Sequence, residues 1–417
     1  MNSSRRRVVV TGLGIVSPLG CQIETFWKNL VAGKSGIRAM PEDVYVNEYS
    51  SRIAGQVDGF NPLDYFEPKA VRKMDPFVQY GLAAAMEAVK DAGLDMDRID
   101  RDRFGAVASS GVGGLEEIKL ASIALHEKGV RRLSPFLIPK MITNILAGEV
   151  AIRLGIHGPN FCVTSACASA THSLGDALRI IQYGDADLML AGGAEAPLNP
   201  FGIGGFCAMK ALCSDSNENP ESGSRPFDAT RSGFVIAEGA GMLVLEEYEH
   251  ARKRGAPVYC ELAGYGATCD AYHITAPNAE GTQAARGMAL AAQDAGLNAD
   301  EIQYINAHGT STPLNDKTET AAIKRAFGEE NARRMMVSSS KSMTGHMLGA
   351  AGGAEAIACA LMLKHGVVTP TMNYAHPDPD CDLDYVPNEA REVELTAVLS
   401  NSLGFGGHNG TLAFKKL

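Results

Sequence analysis

Three side chains in this sequence could do covalent and acid–base chemistry together: Cys167, His308 and His346. Cys167 sits in Phe161-Cys-Val-Thr-Ser-Ala-Cys167-Ala-Ser-Ala-Thr-His-Ser-Leu-Gly-Asp-Ala-Leu-Arg-Ile-Ile181. The residues before it suit a short buried strand, and after it Ala168, Ala170, Leu174, Ala177, Leu178 and Ile181 recur at helical spacing. A thiol at such a strand-to-helix turn meets the unpaired N–H groups and positive end of the helix, which favour thiolate and make a nucleophile. A free cysteine is also commonly just a small buried hydrophobe, and this stretch alone leaves both readings open.

His308 lies in Tyr304-Ile-Asn-Ala-His308-Gly-Thr310-Ser-Thr312-Pro and His346 in Ser339-Ser-Lys341-Ser-Met-Thr-Gly-His346. Each follows a strand-like run and adjoins a glycine, which predicts a strand end rather than a core face. A lone histidine is usually a satisfied core or surface residue. Three reactive groups, each at a strand end, make a site the stronger reading. A fourth piece is Asn401-Ser-Leu-Gly404-Phe405-Gly406-Gly407-His408-Asn409-Gly410. Glycines on both sides of Phe405 would let backbone N–H groups approach a substrate and let the ring swing; an ordinary glycine-rich turn is the alternative.

The elements that must position these groups read as alternating strands and helices. Val8-Val-Val-Thr-Gly-Leu-Gly14 looks like a strand opening onto a dinucleotide loop, but Ser17 and Pro18 break the glycine fingerprint. Gly111-Val-Gly-Gly114 is equally short of it, so both are read as tight turns beside a site. Residues 69 to 94 carry a helical pattern that would set Lys69, Arg72 and Lys73 on one face. Strands are expected at 104–108, 187–193 and 239–246, with a polar loop opening at Arg225-Pro-Phe-Asp228. Arg252-Lys-Arg-Gly-Ala-Pro257 marks a boundary, dividing the chain into 1–255 with the cysteine and 256–417 with both histidines. Met336–Lys341 followed by 345–363 repeats the strand, polar turn and small-residue helix found around Cys167, which argues for duplicated α/β halves.

Composition narrows the function classes. At 417 residues, 45% hydrophobic and with 45 glycines, the chain can bury a large core with many close backbone contacts. Its net charge of -10 argues against nucleic acid or an anionic membrane as partner. Nine cysteines, an odd number without a CxxC pair, suit a reducing compartment without disulfides or structural zinc. The start, Met1 to Arg7, has no apolar stretch before the first strand and does not read as a secretory signal. The apolar segment 347–363 is interrupted by Glu355 and suits a buried helix better than a membrane span. A cytoplasmic protein is expected.

Taken in order, Ala-Cys-Ala-Ser, Asn-Ala-His-Gly-Thr-Ser-Thr, Lys-Ser-Met-Thr-Gly-His and Gly-Phe-Gly-Gly resemble the β-ketoacyl acyl-carrier-protein synthases of the thiolase superfamily, most closely the type II condensing enzymes of fatty acid synthesis. The resemblance runs from Val8 to the last strand at Thr411. It implies a thiolase-like five-layered αβαβα fold from two duplicated halves, a homodimer, and acyl transfer through Cys167. The backbone N–H groups of Cys167 and Phe405 would form an oxyanion hole. His308 and His346 would stabilise the enolate formed when malonyl acyl-carrier protein loses CO2, with Lys341 and Glu355 as the buried pair that organises them.

Further carry-overs come from the same resemblance. Thr310 and Thr312 match contacts to the phosphopantetheine arm, which arrives on the carrier protein, so no resident cofactor and no catalytic metal are implied. Lys69, Arg72, Lys73 and Lys210 match contacts to the acidic carrier protein. Thr275, in Asp270-Ala-Tyr-His-Ile-Thr275, belongs to a second mobile loop. Val112 stands where isoleucine is usual in the acyl pocket, and Phe136 or Leu137 would approach that pocket across the dimer. Leu403 and His408 depart from the family's aromatic and small hydroxyl. A degradative thiolase would need a second cysteine in a Cys-x-Gly context, whereas Cys381 is followed by Asp382-Leu383. Synthases that prime from coenzyme A use Cys-His-Asn, and a chain-length partner lacks the cysteine. The alternative is a condensing enzyme of a specialised lipid or polyketide pathway.

Overall fold

A computed structural model describes residues 5–41 and 48–417; Met1–Ser4, the opening of the segment read as too short for a secretory signal, lie outside them. In chain order the main sheet uses β1 (Val8–Val16), β2 (Phe104–Ser109), β3 (Asn160–Phe161), β4 (Leu188–Glu195) and β5 (Gly239–Glu247). It continues with β6 (Cys260–Cys269), β7 (Tyr304–Asn306), β8 (Met336–Ser338), β9 (Ala397–Gly404) and β10 (His408–Lys415). Their spatial order is β3-β2-β4-β5-β1-β6-β10-β9-β7-β8. From β1 outward the pairings run antiparallel, antiparallel, parallel, parallel. From β6 outward they run the same way. Two five-stranded arrangements of one topology therefore meet at a seam of two residue pairs, Val9 with Glu261 and Val10 with Cys260.

Every residue of β1, β2, β4 and β5 is buried. That explains why they read as continuous apolar runs rather than alternating patterns: both faces are covered. Helices α1 (Pro76–Asp91) and α3 (Thr282–Asp294) cover the outer faces at β1 and β6, while α2 (Ser169–Tyr183) and α4 (Ala351–His365) fill the layer between. Residues Ala351–Leu363 of α4 are buried all round, as a small-residue helix without a polar face must be. Gly353 permits this, because a Cβ there would lie 2.3 Å from the Gly241 carbonyl oxygen. The two central helices follow equivalent 3₁₀ turns, Ala166–Ala168 and Leu348–Ala350. Ala166 and Leu348 take left-handed φ values of 51° and 47°. Among the described residues no helix is long and apolar enough to cross a membrane.

Three expectations are corrected. The helix over 69–94 is broken: Pro68–Val71 forms one short turn, and α1 restarts at Pro76 behind its N-cap Asp75. Pro76 lacks an N–H and suits only the first turn, so Lys69, Arg72 and Lys73 are neighbours on an exposed bend, not one helix face. Gly12 and Gly14 form no turn. They lie inside β1, where Cβ atoms would meet the Ala88 and Ala84 carbonyl oxygens at 2.1 and 1.9 Å, so glycine lets α1 approach. The strand before Cys167 is only Asn160–Phe161, and both residues are exposed because β3 is an edge.

Candidate functional site

The site forms where the cores of both halves end. Cys167 lies in the 3₁₀ turn before α2, with 8% of its surface exposed. His308 lies two residues beyond β7, and His346 follows the short helix Lys341–Thr344 and bridges to Ile236. All three side chains are buried. Their donor atoms lie within 4.8 Å of one another, and the two imidazoles meet edge to face with ring centres 5.3 Å apart. Thiol and imidazoles form a soft donor set, but the Lys341 ammonium beside them opposes a dication.

Lys341 forms a fully buried ion pair with Glu355 on α4, and its Nζ also lies 3.5 Å from His308 Nδ1. That contact makes Nδ1 an acceptor, leaving the His308 proton on Nε2. Burial and the Lys341 charge hold His308 and His346 well below the usual histidine range, so both are neutral. Burial raises the Glu355 carboxyl to about 7, even with Lys341 pulling the other way.

The cysteine departs from expectation. Burial pushes its thiol up to about 12, with Lys341 lowering it, Glu195 raising it, and the N–H groups of Phe405 and Cys167 lowering it. The helix end is outweighed by desolvation, and the resting protein holds a thiol rather than a thiolate. Those two N–H groups converge on the sulfur, an arrangement able to stabilise an oxyanion formed there. Gly404 makes it possible: a Cβ at that position would lie 2.8 Å from the Ser165 carbonyl oxygen and 3.3 Å from Cys167 N. Phe405 occupies the β9–β10 hairpin, which is thus both a glycine-rich turn and a wall of the site.

A cavity of about 530 Å³ opens onto these groups. Val112, Thr275, Thr310, Thr312, Lys210 and Phe405 all line it, so the residues named from sequence converge there. The Thr310 and Thr312 hydroxyls are 3.0 Å apart. Lys210 is exposed with a left-handed φ of 55°. Leu403 lines the cavity, and the His408 ring meets His172 edge to face at 6.4 Å. Of the two glycine turns expected beside a site, Gly111–Gly114 is beside it, with Gly111 and Val112 on the cavity wall. Phe136 is not part of this cavity: it is 40% exposed, and its ring centre lies 5.0 Å from Lys73 Nζ.

Three carboxylates to which the sequence reading gave no role of their own support the site. Glu319 is fully buried and accepts from the backbone N–H groups of His308 and Gly309, both at 2.8 Å, fixing the histidine loop. Asp270 joins the loop before Thr275 to the hairpin, accepting from Asn409 Nδ2 at 2.8 Å and Asn278 N at 3.0 Å. Glu195 ends β4 against the cavity. Only Glu195 carried a signal in the sequence, an acid at the end of the apolar run Leu188–Glu195; Glu319 stands among polar residues of its helix, and Asp270 is half-buried in a loop. The loop at Arg225–Asp228 is likewise a buried network, Asp228 accepting from Ala375 N and His376 N at 2.7 and 2.6 Å.

Comparison with known proteins agrees with this geometry. Residues 5–251 match the family profile of the β-ketoacyl synthase N-terminal domain, and 259–375 that of the C-terminal domain. The chain is 49% identical to a 3-oxoacyl-[acyl-carrier-protein] synthase 2 of Staphylococcus aureus and 48% identical to that of Vibrio harveyi, each alignment covering 99% of both chains. Among solved structures, a β-ketoacyl synthase from Burkholderia phymatum superposes with a TM-score of 0.92 at 38% identity, covering 99% of this chain and all of that one. The same TM-score and identity are found for the AntDE:AntF complex, a type II polyketide acyl-carrier protein with its ketosynthase bound to the hexaketide. The chain belongs to the β-ketoacyl synthase family, with its thiolase-like fold.

Proposed function

We propose that this chain is an acyltransferase that joins an acyl group, carried on Cys167, to malonyl acyl-carrier protein, giving 3-oxoacyl-carrier protein and CO2 in fatty acid elongation. The single observation that carries the reading is the convergence of Cys167, His308 and His346, with donor atoms within 4.8 Å, at the end of one cavity.

The chemistry follows from the groups. The Cys167 sulfur attacks an acyl thioester, whose oxyanion takes the N–H groups of Cys167 and Phe405, each such donor being worth about 3 kcal/mol. Carbon–sulfur cleavage releases the first carrier thiol, which takes the proton. Malonyl carrier protein then places its thioester oxygen against His308 and His346. As the carboxylate leaves as CO2, the electron pair of that C–C bond becomes an enolate, stabilised by the two imidazole N–H groups. Its carbon attacks acyl-Cys167, and the sulfur leaves and is reprotonated. The boundary near 255 assigns nucleophile and histidines to different halves.

Thr310, Thr312 and Thr275 would hold the phosphopantetheine arm, and the reaction needs no cofactor of its own. Lys69, Arg72, Lys73 and Lys210 would receive the acidic carrier. Charge reversal at Arg72 and Lys73 is expected to raise KM for carrier-bound substrates roughly tenfold while leaving small acyl thioesters unchanged. Equal loss with both would make the patch structural. A homodimer is supported by the open edge of β3 and the exposed apolar side chains Leu120, Ile123, Leu125, Val130, Phe136 and Ile138; Phe136 would then serve the partner's acyl pocket. A cytoplasmic location suits these substrates. The polyketide ketosynthase neighbour supports the same chemistry in a specialised pathway, but identity to it is 38% against 49% for the 3-oxoacyl-[acyl-carrier-protein] synthase 2 of Staphylococcus aureus.

The test is intact-protein mass after adding octanoyl or hexadecenoyl carrier protein, followed by malonyl carrier with CO2 detection. The reading expects an adduct on Cys167 that malonyl discharges with CO2. Acyl groups that load but are never discharged would overturn the proposed reaction.

A further inference from the structure

Glu195 is completely buried, and all the groups that hold it are neutral. One carboxylate oxygen accepts from the Ser110 hydroxyl at 2.5 Å and the Val112 N–H at 3.2 Å; the other accepts from the N–H groups of Gly111 and Gly349, both at 2.8 Å. The Ser110 hydroxyl oxygen also accepts from Gly113 N at 2.9 Å, closing the loop on itself. Ser110–Gly113 extends from β2 and carries Val112 on the cavity wall, whereas Gly349 lies in the turn three residues after His346. The carboxylate therefore joins a loop from each half.

The approach is tight enough to require glycine on both sides. A Cβ on Gly111 would lie 2.8 Å from a Glu195 carboxylate oxygen, and one on Gly349 would lie 2.6 Å from that oxygen and 2.4 Å from Gly111 N. Four donors match the acceptor capacity of an ionised carboxylate, and glutamine would turn an NH2 group toward two of them. A buried charge held only by dipoles is costly to keep, which makes a purely space-filling role a poor account of it.

We propose that Glu195 is a positioning residue that sets acyl-chain selectivity, clamping the Val112 loop against the turn beyond His346. The proposal rests on the condensing reaction and deepens it. With the clamp intact, the wall at Val112 has one position, and chains that do not fit it are rejected. With the clamp released, the wall yields and discrimination falls. Glu195 lines the same cavity as Cys167; burial raises its carboxyl against the pull of its four donors, and when ionised it adds to the burial that raises the thiol.

The experiment measures kcat/KM for octanoyl and hexadecenoyl carrier proteins, and the pH dependence of Cys167 alkylation by iodoacetamide, in wild type, Glu195→Gln and Ser110→Ala. In Glu195→Gln the ratio of the two kcat/KM values is expected to move toward one by about fivefold or more. Its alkylation profile should shift to lower pH, because a negative charge has been removed. Ser110→Ala removes one donor but keeps the carboxylate, so it should flatten selectivity less and leave the alkylation profile in place; it serves if Glu195→Gln does not fold. If Glu195→Gln keeps the wild-type ratio, losing activity equally toward both chain lengths or not at all, the clamp is refuted; where Glu195→Gln does not fold, a wild-type ratio in Ser110→Ala refutes it. Wild type separates this failure from the other: if it loads acyl groups without condensing them, the proposed reaction itself is wrong.

Discussion

In Cys167→Gln, condensation is expected to fall by on the order of 10⁴-fold or more, the scale of losing a covalent nucleophile, while malonyl carrier protein is still decarboxylated. The amide places a carbonyl where the acyl-enzyme would have one, against the N–H groups of Cys167 and Phe405. His308 and His346 do not depend on the sulfur for their position: His308 is fixed through its backbone by Glu319 and through its ring by Lys341. His308→Ala should do the reverse, accepting an acyl group at Cys167 but releasing CO2 slowly. The two measurements are acyl-enzyme mass and CO2 release. Retained condensation in Cys167→Gln, or unaltered CO2 release in His308→Ala, would remove the division of labour.

The second large effect concerns the buried pair. Lys341→Met should cost roughly 10²–10⁴-fold in decarboxylation, because His308 Nδ1 loses the donor that fixes its tautomer. It should also create a pH-dependent loss of stability. Glu355, already raised to about 7 from an ordinary 4.5, would rise further without its partner. A carboxyl raised in the folded state keeps a proton that the unfolded chain releases, so folding becomes less favourable with rising pH. Wild type completes that loss near pH 7. The variant continues to lose about 1.4 kcal/mol per pH unit beyond it, up to its own higher value. Thermal unfolding should show a small deficit at pH 6 and a large one at pH 8.5. Adding Glu355→Gln should remove the pH dependence without restoring activity, as expected where a charge rather than a contact is at fault. A deficit unchanged by pH would contradict this account.

How far the sequence reached can be seen residue by residue. Cys167, His308 and His346 were legible because nucleophile and imidazoles stand beside breaks in apolar runs, and such breaks mark the ends of elements. The buried strands β4 and β5 were legible for the same reason. The broken helix near Pro76 was missed because apolar spacing continues across a proline that only a cap can accommodate. Gly12 and Gly14 were misread because a glycine that admits a helix and a glycine that turns a chain look alike in one dimension. Glu195 and Glu319 were given no role because most of their partners are backbone N–H groups, which every residue type supplies, and the side-chain donors Ser110 and Asn401 lie more than eighty residues away in the chain. The protonated state of Cys167 was missed because desolvation depends on what covers the turn, and the hairpin covering it lies more than two hundred residues away.

The enclosure of α4 has a consequence for how the enzyme is made. Synthesis proceeds from the N-terminus, so the segment holding Cys167 leaves the ribosome well before α4 and the Gly404–Gly407 hairpin exist. During that interval the small-residue face of α2 has no roof, and the turn before it that carries Cys167 lacks the cover that leaves the finished thiol reachable only through the cavity. The last portion of the chain to emerge therefore completes the enclosure of the nucleophile, and a chain halted after its first half has the cysteine without its site.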